Sequence, residues 1–291
     1  MPASRQPTLR HNARVTWQRS SAGSADSVRR RLAVATWRAP ADGRIYTRLV
    51  VDATAVLAYV EATRRRTGER VTITHVVGAA LGRALRGVPD TRSRVVFGRV
   101  RSVDTCDVGF AVDINAGGDL APVKVRGIDA LTPVEVAREL SAGVSRVRTG
   151  TDHNHSRSMS IVALAPSWAL RPLLGVASVL IGGLGVGAFG QPGFPFGSAF
   201  ISNVGPLGLD EAYMAPLPFA RVPLYLAIGA VRDTAIAVDG QVVVRPCLVL
   251  VGTADHRLID GAHAGQVVTI LRDLLADPAR LDHVATERAA T

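Results

Sequence analysis

The densest group of ionisable side chains in an otherwise apolar stretch is Ala254-Asp255-His256-Arg257-Leu258-Ile259-Asp260-Gly261. It lies between a strand-like run and an apolar helical run, and loop residues at such a boundary can be held rigidly. A histidine placed there can serve as a general base, because its ordinary pKa lies close to neutral pH. Arg257 and the flanking carboxylates of Asp255 and Asp260 can hold the loop by ion pairs, and Gly261 can admit a tight turn into the helix. The same residues also suit a capped, salt-bridged turn with no chemistry at all. Residue types alone leave both readings open.

Other chemistries find less support. A metal site would draw on His256, Asp260 and His263, but the H-x6-H spacing matches no common ligand pattern and there is no cysteine pair. No G-x-S-x-G elbow is present for a serine hydrolase. His153 and His155 fall in a polar loop, and His75 falls on a helix face, where a histidine is more often a satisfied core residue. Gly185, Gly187 and Gly190 match G-x-G-x-x-G, with Asp210 twenty residues on. That fingerprint needs a helix to open at the third glycine and hold a pyrophosphate. Gln191-Pro192-Gly193-Phe194-Pro195 follows instead, so no nucleotide site is expected.

Helices and strands must position these residues. Asp52–Arg66, with Asp in front and three arginines behind, has the polarity of a helix dipole. Thr72–Leu85 repeats the helical pattern with Gly78, Ala79, Ala80 and Gly82, small residues that allow close packing. Thr132–Val147 carries a cap at Thr132, Pro133 at the first position and Glu135 three residues after the cap. Gly261–Ala276 forms the last helix, ending before Pro278. Strand-like runs cover Leu32–Trp37, Arg94–Val100, Asp107–Ile114, Leu120–Val125, Ser198–Val204, Leu224–Val231, Ile236–Val238, Gln241–Val244 and Leu248–Thr253, with a turn at Asp239-Gly240. The pattern is that of a mixed α/β layer fold.

From Pro172 to Leu209, 38 positions pass without a charged residue, and the 18 residues Leu173–Gly190 are all apolar or glycine save Ser178. Eighteen is the lower limit for crossing a bilayer, and six of them are glycine, which weakens a helix by up to about 1 kcal/mol each. The expectation is an apolar insert, 163–197, packed on the domain or touching a membrane surface.

Of the 34 basic residues only Lys124 is a lysine. Residues 1–50 hold ten arginines against Asp26 and Asp42, whereas the rest carry 24 basic against 22 acidic groups. A nearly neutral body argues against a nucleic-acid-binding face. Residues 1–31 read as a flexible Arg-rich tail, with transit-peptide and nucleic-acid-arm readings left open, and no apolar run follows for a signal peptide. Residues 32–291 form the domain. Cys106 and Cys247 exclude a disulfide scaffold and fit a reducing, cytoplasmic setting.

Asp255-His256-Arg257-Leu258-Ile259-Asp260-Gly261 resembles the D-H-R-x-x-D-G signature of the dihydrolipoamide acyltransferases, the catalytic subunits of 2-oxoacid dehydrogenase complexes. Phe200-Ile201-Ser202-Asn203-Val204-Gly205-Pro206-Leu207-Gly208 is similar to that family's F-T-I-S-N-L-G-x-x-G strand and turn. Val112-Asp113 with Leu120-Ala121-Pro122-Val123 resembles its A-V-x-x-x-x-G-L-x-x-P-V hairpin, and the likeness spans residues 45–150 and 198–281.

The resemblance implies a chloramphenicol acetyltransferase-like fold, a two-layer sandwich of a mixed sheet flanked by helices. It implies that His256 takes the proton from a thiol of coenzyme A or a dihydrolipoyl group, and that the thiolate attacks an acyl thioester. Ser202 would donate a hydrogen bond to the oxyanion, beside Asn203, while Asp260, with Arg257 and Asp255, keeps the histidine loop in shape. It further implies a homotrimer, with Ser202 and His256 facing each other across a subunit boundary.

Family members also carry lipoyl and subunit-binding domains, for which this sequence leaves no room ahead of residue 45. Lys124 lies within a strand rather than on an exposed tip, so no covalently bound lipoyl group is expected. Coenzyme A or acyl-coenzyme A would be a substrate, the acceptor an unassigned thiol, hydroxyl or amine, and a lipoyl domain, if used, a partner in trans. The alternative is a catalytically inactive trimeric scaffold, or a membrane-associated binding protein of the same fold.

Overall fold

The computed structural model describes residues 43–113, 120–148, 166–188 and 191–283. The Arg-rich tail and the strand expected at 32–37 lie outside these residues.

A seven-stranded mixed sheet forms the frame, built from β1 (Arg44–Asp52), β4 (Val108–Asp113), β5 (Leu120–Val125), β6 (Ala199–Asn203), β7 (Leu224–Ile228), β8 (Arg232–Val238) and β9 (Gln241–Asp255). Its order is β1-β9-β7-β6-β4-β5, with β8 paired to β9. The pairs β4–β6 and β6–β7 are parallel and the others antiparallel. Helices α1 (Thr54–Thr67), α2 (Ile73–Gly87), α3 (Pro133–Arg148) and α5 (Gly261–Ala276) contribute to one core with the sheet.

Side chains alternate across a strand, and the burial follows. Leu224, Leu226 and Ile228 of β7 enter the helix-side core, whereas Tyr225 joins a smaller cluster with Phe196, Ala220 and Val222 on the opposite face. On β6, Ala199 and Ile201 face the helices and Phe200 faces away. Ser202 shares the face of Phe200, and Asn203 shares the face of Ile201.

The helices form where the sequence caps them. Thr132 and Glu135 exchange hydrogen bonds at the start of α3, as their spacing predicts. At α2 the reciprocal partner of Thr72 is His75, whose Nδ1 accepts the Thr72 N–H at 3.0 Å. Burial pushes that imidazole down to about 4, so it stays neutral, the satisfied histidine expected there. The small residues of α2 are required: a Cβ on Gly82 would lie 2.8 Å from the Asp129 amide nitrogen, and one on Gly78 would lie 2.8 Å from the Phe110 ring.

Some expectations are corrected. Arg94–Val100 is not one strand but a hairpin of β2 (Arg94–Val96) and β3 (Arg99–Arg101), because Phe97 and Gly98 take φ of 50° and 72°. β9 runs unbroken through Pro246, because the pairing with β1 begins only at Cys247 and no partner on that side needs a proline N–H. Strand β1 was not expected, since Tyr46 and Val50 blur its apolar alternation by standing exposed on the outer face.

The apolar insert folds as α4 (Ser167–Ala177) and a π-helical turn, Ser178–Gly183. Leu170 and Ile181 are buried, and a Cβ on Gly182 would stand 2.4 Å from the Phe219 carbonyl oxygen. Among the described residues no helix is long and apolar enough to cross a membrane. The glycine fingerprint ends in turns rather than a helix: Ala188 bridges Gln191, and Gly193 packs on the Gly185 carbonyl. Gly190 lies outside the described residues, and Asp210 is engaged by Arg232 at 2.7 Å.

Candidate active site

β9 delivers the histidine. Its last residue, Asp255, donates its N–H to the Pro223 carbonyl at 3.0 Å and accepts from Leu258 and Ile259 through its own carbonyl, which closes a turn. The His256 N–H donates to the Gly43 carbonyl at 2.8 Å, and buried Ile259 anchors the far side of the turn in the core. The imidazole is exposed on the single chain.

His256 Nδ1 stands 3.0 Å from the Ile259 carbonyl oxygen. A carbonyl only accepts, so Nδ1 carries the hydrogen and Nε2 keeps its lone pair. The turn thus selects the tautomer that a general base needs, with the backbone orienting the ring where other sites use a carboxylate.

The supporting residues divide their work differently from the expectation. Arg257 binds Asp255 alone, through its backbone N–H and a forked guanidinium contact, Nε to Oδ1 at 2.9 Å and Nη2 to Oδ2 at 2.5 Å. Burial raises the Asp255 carboxyl, but the Arg257 hydrogen bonds outweigh it and leave the group below the ordinary carboxylate range. Asp260 makes no pair with Arg257 in the described contacts. It is the N-cap of α5, accepting from the N–H groups of Ala262 at 2.9 Å and His263 at 3.0 Å.

Those hydrogen bonds, that of His263 first, lower its pKa. Gly261 takes no left-handed φ, and a Cβ there would meet open space, so the turn into the helix does not demand glycine. His263 turns to Asp260, 2.7 Å from Nδ1, and to Asp90, 3.2 Å from Nε2. Among the described residues no three His, Cys, Asp or Glu side chains gather as a metal site would require.

Ser202 occupies a different part of the sheet. It pairs with Ala227 of β7, and Ala227 with Val251 of β9. His256 comes five residues after Val251, so within one chain the two are separated by roughly 17 Å along the strands and about 10 Å across them. One chain does not bring base and hydroxyl together.

Asn203, on the opposite face, donates through Nδ2 to Thr74 Oγ1 at 2.9 Å and accepts the Gly205 N–H at 3.0 Å. It thereby ties the end of β6 to the first turn of α2. Sequence reasoning missed Thr74, Gly43 and Ile259. The last two act through backbone carbonyls, which any residue type supplies.

Charges of both signs meet at the histidine turn. Arg44 and Arg257 both act on Asp255, and Arg221 feels the charge of Arg257. Lys124 is remote from this turn in sequence pairing and largely buried in β5, donating to the Phe194 carbonyl at 2.9 Å and lying 3.6 Å from Asp107. Its ammonium is enclosed, not displayed on a hairpin tip.

Comparison with known proteins follows the same residues. A curated relative, the dihydrolipoyllysine-residue acetyltransferase component of the pyruvate dehydrogenase complex of Mycoplasma capricolum subsp. capricolum, is 24% identical over 216 residues, 74% of this chain. The chain spans only 40% of that relative's length. A probable dihydrolipoamide acetyltransferase from Listeria monocytogenes superposes with a TM-score of 0.61 at 16% identity, covering 95% of this chain and 98% of that one. The cubic core of the pyruvate dehydrogenase multienzyme complex gives 0.60 at 19% identity, over 84% and 85% of the two chains. At such identities these likenesses establish the fold. The family model described as 2-oxoacid dehydrogenases acyltransferase (catalytic domain) matches residues 26–159 and 194–282, passing over most of the insert. With both the serine strand and the histidine turn inside the matched residues, the chain belongs to the family of 2-oxoacid dehydrogenase acyltransferase catalytic domains.

Proposed function

We propose that this protein is a coenzyme A-dependent acyltransferase that works as a homotrimer, with His256 as general base and Ser202 of a neighbouring copy as oxyanion donor. The observation that carries the reading is the His256 Nδ1 contact with the Ile259 carbonyl, which leaves Nε2 free to take a proton on an exposed surface. Nε2 removes the proton of a coenzyme A or dihydrolipoyl thiol, and the sulfur attacks the carbonyl carbon of an acyl thioester. The tetrahedral oxyanion is held by the Ser202 hydroxyl. It collapses with cleavage of the old carbon–sulfur bond, and the proton on His256 passes to the departing sulfur. A thiol needs only a weak base, its pKa being about 8.5.

The separation of Ser202 from His256 within a chain supports assembly across a subunit boundary, and the arginines beside Asp255 suit the phosphates of coenzyme A. With Lys124 enclosed, that lysine is not offered as a lipoylation site.

The test is acyl transfer from acetyl- and longer acyl-coenzyme A to dihydrolipoamide. His256→Ala should lower kcat by about 10²–10⁴-fold, and Ser202→Ala by about 10²–10³-fold. Mixed trimers of the two variants should regain activity that neither has alone, because some boundaries then pair an intact base with an intact hydroxyl. Equal turnover by His256→Ala and the unaltered protein would overturn the reading.

A further inference from the structure

The described surface carries large apolar side chains that the proposed transfer chemistry does not use. Phe97 is 73% exposed at the tip of the β2–β3 hairpin, and Val100 on the returning strand is 61% exposed. Phe97 takes φ of 50°, a conformation that favours Asn or Gly and that a bulky residue adopts at a cost. The chain therefore holds an aromatic ring in solvent at a position suited to a small polar residue. Beside it, Val176, Leu184 and Val186 of the insert are also exposed.

The two elements are fixed side by side. Val96 lies under the π-helical turn, where a Cβ on Gly183 would come within 3.4 Å of it. The buried Arg94 guanidinium donates to the carbonyls of Gly182 at 3.1 Å and Ala220 at 3.2 Å, and lies 4.2 Å from the centre of the Phe194 ring. Arg221 donates to the Val95 carbonyl at 2.7 Å and to Ser178 Oγ at 2.8 Å. Residues 97–100 and 184–186 thus project as neighbouring apolar tips from a braced base.

The two segments that carry the tips have charges of one sign. Residues 91–103 and 153–209 contain no Asp or Glu. Arg99 and Arg101 on the hairpin and Arg171 on α4 are exposed. Apolar tips on segments whose charged groups are guanidinium complement a surface with an anionic outer layer over a hydrocarbon interior. We infer that the β2–β3 hairpin and the 184–186 turn form a docking face for an anionic lipid bilayer, entered by Phe97 and Leu184 and flanked by Arg99, Arg101 and Arg171. The contact is peripheral, since no described helix is long and apolar enough to span.

The full chain is floated with vesicles of phosphatidylcholine alone and of phosphatidylcholine with phosphatidylglycerol. It should float with the second and not the first. The double variant Phe97→Asp with Leu184→Asp should lose at least tenfold in partitioning while keeping its circular dichroism and its acyl-transfer rate in lipid-free solution. Because the arginines of residues 1–42 can also attract anionic vesicles, a second measurement locates the contact. Phe97→Trp in brominated anionic vesicles should show quenching above that of the three tryptophans already present. No flotation of the unaltered protein, unaltered flotation of the double variant, or an unquenched Trp at 97 overturns the inference. So does a changed sedimentation coefficient of the double variant without lipid, which would make the face a contact between copies.

Discussion

One hydrogen bond decides what His256 can do. Its Nδ1–H is committed to the Ile259 carbonyl, so the reactive nitrogen is Nε2 and the ring cannot rotate without losing that bond. Asp260, four residues on, acts through the helix it caps. Asp260→Ala should lower the midpoint of chemical denaturation, whereas Asp260→Ser, which keeps a capping oxygen, should lower it less. Its carboxyl is held below the ordinary range in the folded state, so this contribution is full above the ordinary carboxylate pKa and disappears as the pH falls through the lowered one. His75 has the opposite chemistry and the same sign. Burial holds its folded pKa at about 4, below the ordinary imidazole value of 6.5, so stability is full above that ordinary value and falls on acidification towards 4. His75→Gln should flatten that part of a stability–pH curve measured by urea unfolding.

At the scale of elements, the turn and the helix that flank His256 were legible in the sequence, because apolar periodicity and cap residues are local signals. The helix over Gly261–Ala276 was expected with the bounds the structure gives it. The ends of α2 and α3 were likewise marked by Thr72 and by Thr132 with Glu135. β1 was not legible, since its outer face keeps Tyr46 and Val50 exposed and the alternation fades.

The insert was readable as apolar but not as a packed helix and π-turn. Its shape depends on partners distant in sequence, Phe219, Ala220 and Arg221. Two glycines of the insert separate the contributions. Gly175 lies in α4 with open space around it, and Gly175→Ala should stabilise by up to about 1 kcal/mol. Gly182→Ala must push its methyl into the Phe219 carbonyl and should lower the melting temperature by several degrees. Equal melting temperatures for the two variants would show that the insert is not seated as described.

At the scale of the whole molecule, a single sheet holds Ser202 and His256 about two strands and five residues apart, a separation that no side-chain rotation can close. Activity on the proposed scheme therefore belongs to the assembly. Specific activity should fall on dilution in step with dissociation of the trimer, followed together by sedimentation and by coenzyme A release. Activity that persists in a fully monomeric sample would separate Ser202 from the chemistry.

The sequence by itself determined the mixed α/β class, the capped helices, the histidine turn and the family to which its motifs point, because each is written in residues adjacent along the chain. Only the tertiary structure decided which nitrogen of His256 stays free, that Arg257 serves Asp255 while Asp260 serves α5, that Lys124 is enclosed, and that the insert lies braced against the β2–β3 hairpin. Those outcomes rest on backbone carbonyls and on contacts between distant segments. A carbonyl has no residue type, and a distant contact has no spacing, so neither leaves a mark that a linear reading can find.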